Sequence, residues 1–177
     1  SSVRPREITY CNCINYGPND GLDVEALSSA ETYLRRRMLE VAEVFRAHLA
    51  GCEQAYAAGP SPAAGQRRGR AIRCLYELTQ ADCVEGRQFD DQIGVFGFID
   101  NPRDFVQGAG AYGFPYRALV PRDTDNMLIA GRMMTVDLAA HNSTRNTVAC
   151  MVCVEAAGTA AALAAAQGIT PAEVDEI

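Results

Sequence analysis

Backbone amides and polar side chains converge where a predicted strand gives way to the last long helix. The strand ends in Ala130, Gly131 and Arg132, and the first turn of the helix is predicted to run from Ser143 to Thr147. Unpaired N–H groups and the positive end of a helix dipole stabilise anionic ligand atoms. Because Gly131 has no side chain, the backbone there can approach a flat ring closely. This junction is therefore predicted to bind an anionic, planar ligand.

A glycine-rich stretch, GAGAYG at 108–113, matches the pattern G-x-G-x-x-G. Such a turn binds phosphate only when it follows a buried strand and opens a helix. The preceding NPRDFVQ is polar, and Pro115 and Pro121 exclude a helix after it. We therefore predict a surface connection here.

The seven cysteines form no zinc pattern. Cys150 and Cys153 have C-x-x-C spacing, but no second pair or histidine follows to complete a metal site. A redox disulfide between these two is weakly supported, because they are expected inside the last helix and away from its N-terminus, where nothing would lower a thiol pKa. Reduced cysteines packed as small hydrophobic side chains are favoured, and no metal is predicted.

Composition narrows the class of protein further. A chain of 177 residues with a net charge of -6 argues against nucleic acid as a partner. The first ten residues lack the apolar core of a signal peptide, and no stretch is expected to approach the length needed to cross a membrane. A cytoplasmic protein with no membrane partner is the expectation.

The elements that position the junction follow from periodicity and turn signals. Alternation predicts strands, and 3.6-residue spacing of apolar side chains predicts helices. Gly168 is a helix stop, and Thr170 and Glu173 form a capping box before a final short helix. The predicted elements are strands at 7–16, 75–79 and 127–131, helices at 28–58, about 80–89 and 143–167, and a loop at 94–116.

Several of these motifs match those of one family. The chain ends a strand in Ala130-Gly131-Arg132 and continues with Ser143-x-Arg145, Cys150-Met151 and an alanine-rich run from Ala156 to Ala164. Upstream stretches PYRALVP and QRRGRAI have counterparts as well. The chain resembles the C-terminal part of the FAD-dependent oxidoreductases related to fumarate reductase and succinate dehydrogenase flavoproteins, over nearly its whole length. A reduced flavin carries negative charge at its pyrimidine edge, which suits the junction described above.

The resemblance implies an α/β chain, more narrowly an α+β fragment. Residues 1–120 would form a segment of the substrate or cap domain. Residues 121–177 would supply the last strand and helix of a Rossmann-like FAD-binding domain. The N-terminal Rossmann unit of such proteins has no counterpart in these residues. We therefore expect an N-terminal FAD-binding partner chain or domain, making this a separately encoded subunit, a processed chain or a truncated one within a hetero-oligomer.

The resemblance also assigns site residues. His141 and Arg145 would be catalytic, with Arg145 clamping an anionic or polar substrate group and His141 binding substrate or moving a proton. The simpler alternatives are a capping or surface histidine and an arginine in a buried ion pair. The expected cofactor-binding residues are Ala130, Gly131, Arg132, Ser143, Thr144, Arg145 and Asn146. The expected substrate-binding residues are Arg67, Arg70, Tyr116 and Arg117, for which a solvated basic loop and a plain structural role are the alternatives.

Because the chain departs from the family pattern, we keep two hypotheses for its function. Leu138 stands where a histidine is common, Val154 where a glycine is common, and Arg68 and Cys74 where an acidic residue and a glycine are usual. The first hypothesis is hydride transfer from a small organic substrate to FAD, in a complex completed by the partner chain. The second is a degenerate, non-catalytic structural subunit of such a complex.

Overall fold

The computed structural model describes residues 6–8, 11–17, 20–101, 103–134 and 136–174. They fall into two compact units, Ser1–Gln66 and Arg67–Ile177. The structure combines helices with one small antiparallel sheet, which agrees with the predicted α+β fragment. The assignment of 1–120 to a substrate or cap domain and of 121–177 to a FAD-binding domain stays a prediction. The elements are α1 (Val24–His48), α2 (Gln80–Val84), β1 (Gln92–Phe96), β2 (Tyr112–Pro115), α3 (Leu138–Thr144), α4 (Thr147–Gln167) and 3-10 turns at Tyr116–Ala118 and Pro171–Glu173.

The first unit is built on α1. Asp23 caps this helix, its carboxylate accepting from the N–H of Glu25 (2.9 Å) and of Ala26 (3.3 Å). The predicted helix at 28–58 is confirmed, although it begins earlier and ends at His48. The predicted strand at 7–16 is wrong in its described part, because 7–8 and 11–16 pair with no other segment there. Residues 9 and 10 lie outside the described residues. Alternation alone does not make a strand without a neighbour to bond.

A hairpin replaces the predicted loop at 94–116 in the second unit. β1 and β2 pair antiparallel, with Phe96 opposite Tyr112 and Gly94 opposite Phe114. The glycines that suggested a loop are needed for packing. A Cβ on Gly94 would lie 2.7 Å from Val152 Cγ1 of α4, and one on Gly97 would lie 2.6 Å from the Gly110 carbonyl oxygen. The GAGAYG stretch forms the end of the hairpin loop and the start of β2, and no α-helix follows it directly, as its context predicted. The predicted surface connection is wrong for Tyr112 and Gly113, which are buried in β2.

An extended segment at 72–78 runs between two others without becoming a regular strand. Cys74 bridges Pro121 antiparallel on one side, while Ile72 and Leu78 bridge Met134 and Val136 in parallel on the other. The strands predicted at 75–79 and 127–131 are therefore wrong as regular elements. In place of the strand predicted at 75–79, the segment 72–78 forms only isolated β-bridges. Within 127–131, the N–H of Ile129 donates to the Leu119 carbonyl (2.9 Å).

The predicted helix from Ser143 is two helices. Asp137 caps α3, its carboxylate accepting from the Ala140 N–H (2.7 Å). Arg145 then closes α3, and Asn146 adopts an extended conformation (φ -69°, ψ 151°) that interrupts the helix before α4 begins at Thr147. The end of α4 is as predicted. Gly168 takes the left-handed conformation (φ 68°), and Thr170 and Glu173 form the capping box.

α4 is long and apolar for a helix that is largely uncovered. Its 21 residues include a window with mean hydropathy of 1.8, of which 28% is buried. By length and composition alone it could cross a membrane, so the expectation that no stretch reaches that length was wrong. Taken by itself this is weak support for a membrane span. Its buried side carries Ala149, Cys153, Ala156, Ala160 and Ala164.

Candidate functional site

The first turn of α4 is open. Asn146 occupies the cap position, but its side chain does not cap α4. Its Nδ2 donates instead to the carbonyls of Asn142 and Ser143, each at 3.0 Å. Thr147 and Val148 are exposed beside it. The leading N–H groups of a 21-residue helix thus keep their capacity to bind anionic ligand atoms.

Gly131 and Arg132 lie beside this helix, as predicted. Gly131 has φ +86°, and a Cβ there would lie 3.8 Å from Cys150 Sγ in the first turn of α4. Arg132 is close enough to Cys150 for its charge to oppose the effect of burial, which raises the pKa of that thiol. Ala130 packs partly buried against the core. The structure therefore brings the Ala-Gly-Arg segment and the α4 terminus together.

Ser143 and Thr144 lie elsewhere than predicted. Both belong to the last turn of α3 and are 2% exposed. The Ser143 hydroxyl accepts from the Tyr112 hydroxyl (2.6 Å) and donates to the Phe98 carbonyl. Placing them in the first turn of α4 was therefore wrong, because the helix breaks at Asn146. A contact between either residue and a cofactor stays a prediction.

His141 is buried in α3, so it is not a surface histidine. Its Nε2 lies 2.9 Å from the Arg67 carbonyl oxygen. Because a carbonyl only accepts, Nε2 carries the proton and the ring is the Nε2–H tautomer. Burial lowers the pKa of His141, the hydrogen bond to the Arg67 carbonyl partly offsets this, and the charges of Arg68, Arg145 and Arg132 lower the pKa further. The histidine is therefore neutral at pH 7.

Arg145 follows His141 by one helical turn. Its backbone N–H donates to the His141 carbonyl (3.1 Å), so helical geometry does extend back to residue 141. Its guanidinium pairs with the Asp100 carboxylate and is 16% exposed. The ion pair predicted as the simpler alternative is thus present. Asp100 remains half exposed, so the pair is not sealed inside the unit.

The predicted substrate arginines and Tyr116 divide into two groups. Arg67 meets His141 through its backbone, whereas Arg70 is exposed in the same segment. Tyr116 is buried and donates its hydroxyl proton to the Pro171 carbonyl (2.7 Å). Arg117 pairs with Asp91 (2.7 Å) and stacks on the Tyr76 ring, 4.9 Å from its centroid. These contacts explain Tyr116 and Arg117 structurally, and their substrate role stays a prediction.

Two participants were missed by sequence reasoning. Asp100 precedes Arg145 by 45 residues, and Tyr112 precedes Ser143 by 31. Neither partner has a local spacing that signals its contact, since both depend on how the hairpin lies against α3. A carboxylate after the apolar VFGFI stretch was the only visible hint of Asp100.

All seven cysteines lie in the described residues and none of them forms a disulfide, but they differ in burial. Cys74, Cys83 and Cys153 pack inside as predicted, whereas Cys11 and Cys13 are exposed, so the packed interpretation is wrong for those two. Burial raises the pKa of Cys83 and of Cys153 to about 12. Neither of these buried thiols is therefore a nucleophile near neutral pH.

We expect thiol labelling to follow this division. At pH 8, N-ethylmaleimide should modify Cys11 at least 100-fold faster than Cys83 or Cys153, because a thiol with pKa near 12 is about 10⁻⁴ thiolate there. Peptide mapping by mass spectrometry measures the rates, and labelling in urea provides the fully reactive control. Equal rates in the folded protein would show that the core of the second unit is open.

The lowered pKa of His141 predicts a pH-dependent stability. Between the ordinary pKa of 6.5 and the lower folded pKa, the unfolded chain binds the extra proton. Stability is therefore full above pH 6.5 and falls as the pH drops, by at most about 1.4 kcal/mol per pH unit for one proton. Urea unfolding at pH 7.5 and 5.5 should show a smaller difference in His141→Gln than in the native protein.

His48 provides the matched control, because it is the second of the two histidines and is exposed at the end of α1. His48→Gln should keep the native pH difference. An unchanged difference in His141→Gln would mean that other groups cause it.

Comparison with known proteins places this arrangement in a family. A family model described as FAD dependent oxidoreductase matches residues 1–177. No curated protein and no solved structure matches the chain. The match spans both units and includes the α4 terminus with its neighbouring glycine. The chain belongs to the FAD dependent oxidoreductase family, and its cofactor is FAD.

Proposed function

We propose that this chain forms the flavin-edge side and part of the substrate pocket of an enzyme that transfers hydride from a small organic substrate to FAD. The observation that carries the proposal is the open terminus of α4 beside Gly131 and Arg132. Its N–H groups and the neighbouring cationic side chain fit the negatively charged pyrimidine edge of a reduced flavin. When bound, FAD supplies the hydride acceptor.

Arg145 would hold the substrate. A guanidinium binds a carboxylate through two parallel hydrogen bonds, which fixes the orientation of the reacting carbon. Pairing with Asp100 keeps the Arg145 side chain in place while leaving the pair partly accessible. The surrounding Arg68 and Arg132 add positive charge that favours an anionic substrate.

His141 would act mainly by position. Its Nε2–H holds the Arg67 carbonyl, which ties the arginine-rich 67–70 segment to α3. With Nε2 engaged, Nδ1 is the atom that accepts a proton from a substrate hydroxyl or amine. A neutral imidazole at pH 7 suits that role.

The partner would be a chain or domain carrying the strand–GxGxxG–helix unit of a Rossmann-like fold. The outward face of α4 is apolar: Val148 is 72%, Met151 65% and Val154 59% exposed, and a Cβ on Gly158 would meet nothing within 4 Å. An apolar surface of this kind calls for a covering protein surface. We further propose that the chain is related to the fumarate reductase and succinate dehydrogenase flavoproteins. In this proposal it works in a hetero-oligomer in the cytoplasm.

Reconstitution tests the proposal. Mixing the chain with its candidate partner and FAD should give a yellow complex that co-elutes with the flavin absorbance. Val154→Asp should weaken assembly at least 10-fold, because it places a charge on the covered face of α4. Val44→Asp introduces the same change at an exposed position of α1 and serves as control. A colourless complex, or binding of α4 to lipid vesicles in preference to the partner, would contradict the proposal.

A non-catalytic structural subunit is the second candidate. It is favoured by the internal contacts of both predicted catalytic side chains, the Arg145–Asp100 pair and the His141–Arg67 hydrogen bond. Leu138, exposed on α3 where family members commonly carry histidine, supports the same view. Substitution of Arg145 separates the two candidates.

A further inference from the structure

A cavity of about 320 Å³ lies in the second unit, lined by Arg73, Cys74, Glu77 and Arg122. It opens to the surface, since Arg73, Glu77 and Arg122 are all exposed, and these three side chains together carry a net positive charge. The volume lies at the small end of the range for ligand pockets. None of its lining residues belongs to the site proposed for flavin and substrate.

The backbone places the two arginines side by side. Cys74 bridges Pro121 antiparallel, and the Arg122 N–H donates to the Arg73 carbonyl (3.0 Å). Arg73 and Arg122 are therefore directly opposite each other in a short antiparallel pairing. Like charges in opposite positions of such a pair repel and reduce stability. An anion between them would remove that cost.

The Arg122 guanidinium is held in place by a neutral group rather than by a carboxylate. Arg122 Nε donates to the Cys74 carbonyl oxygen (2.6 Å), which fixes this side chain and leaves its terminal nitrogens for another acceptor. Within the described part of the chain, neither Arg73 nor Arg122 forms an ion pair with a carboxylate. Paired guanidiniums match the geometry of a phosphate or carboxylate group.

Glu77 limits which anions fit. A simple oxyanion in the cavity would be repelled by its carboxylate, whereas a ligand with a cationic group at its other end would be attracted. We propose that this cavity binds a small zwitterion, with its oxyanion between Arg73 and Arg122 and its ammonium group beside Glu77.

Isothermal titration at low ionic strength tests this with phosphoethanolamine and β-alanine as probes that differ in the oxyanion, and inorganic phosphate as the probe without an ammonium group. Phosphoethanolamine or β-alanine should bind saturably to the full chain, and the tighter one identifies phosphate or carboxylate as the oxyanion. Arg73→Gln should weaken that binding about 10- to 100-fold. Arg122→Gln should do the same. Arg73→Gln is the cleaner variant, because it leaves the hydrogen bond between Arg122 and Cys74 intact.

The charge logic gives a second readout. Glu77→Gln should weaken the zwitterion at least 10-fold and tighten inorganic phosphate. Arg103→Gln removes one exposed positive charge outside the cavity and should change neither affinity. Absence of saturable binding, or equal losses in Arg103→Gln and Arg73→Gln, would overturn the proposal. Because the titration needs no flavin and no partner, its failure would leave the proposed flavin function standing.

Discussion

Replacing Arg145 with alanine in the assembled, FAD-loaded enzyme is expected to lower kcat/KM about 10²- to 10³-fold. Without the clamp on the substrate carboxylate the reacting carbon is misplaced, and a misplacement of about 1 Å costs about 10²-fold in rate. The guanidinium is only 16% exposed and lies one helical turn from His141. Steady-state kinetics of flavin reduction measures the effect, and flavin absorbance verifies that FAD remains bound.

Asp100→Ala separates substrate binding from structure. It breaks the same ion pair but leaves the guanidinium in place, so turnover should fall less than 10-fold while Arg145→Ala abolishes most of it. Both variants should lose a similar, small amount of unfolding free energy, because one partner of the pair is half exposed. Equal turnover in the two variants would favour the non-catalytic structural subunit.

Local signals predicted the parts of the fold that depend on local chemistry. α1 follows from the spacing of apolar residues, and the end of α4 follows from Gly168 in the left-handed conformation. The capping box at Thr170 and Glu173 needs only four residues of sequence. Each of these features is stabilised by contacts within one or two helical turns, so a short window contains its cause.

The hairpin could not be predicted in this way, because its cause lies in α4. In the sequence alone, Gly94 indicates a break in a strand. The close approach of Val152, which explains the glycine, is visible only in the structure. The start of α3 could have been predicted from the sequence, since Asp137 precedes LAA as a helix cap does. Family resemblance identified the cofactor. It did not reveal that Ser143 faces Tyr112 inside the unit.

The β1–β2 hairpin packs against α4 through the hydrophobic core of the second unit. Phe114 is fully buried on β2, and its ring centroid lies 5.5 Å from that of Phe96 on β1. Phe114→Ala should therefore lower the free energy of unfolding by about 3–5 kcal/mol, the usual loss when a buried phenylalanine is truncated. Urea unfolding followed by tyrosine fluorescence, in the assembled protein if the chain requires its partner, measures the change.

Phe105→Ala is the matched control, since that side chain is 73% exposed and its removal should cost less than about 0.5 kcal/mol. Similar losses in the two variants would mean that the hairpin does not pack as described. The consequence reaches the site, because Tyr112 on the same strand donates to Ser143 in α3 and Asp100 follows β1 to meet Arg145. Loosening the hairpin should therefore also weaken FAD binding in Phe114→Ala, whereas a core unrelated to the site would lose stability and keep its flavin affinity.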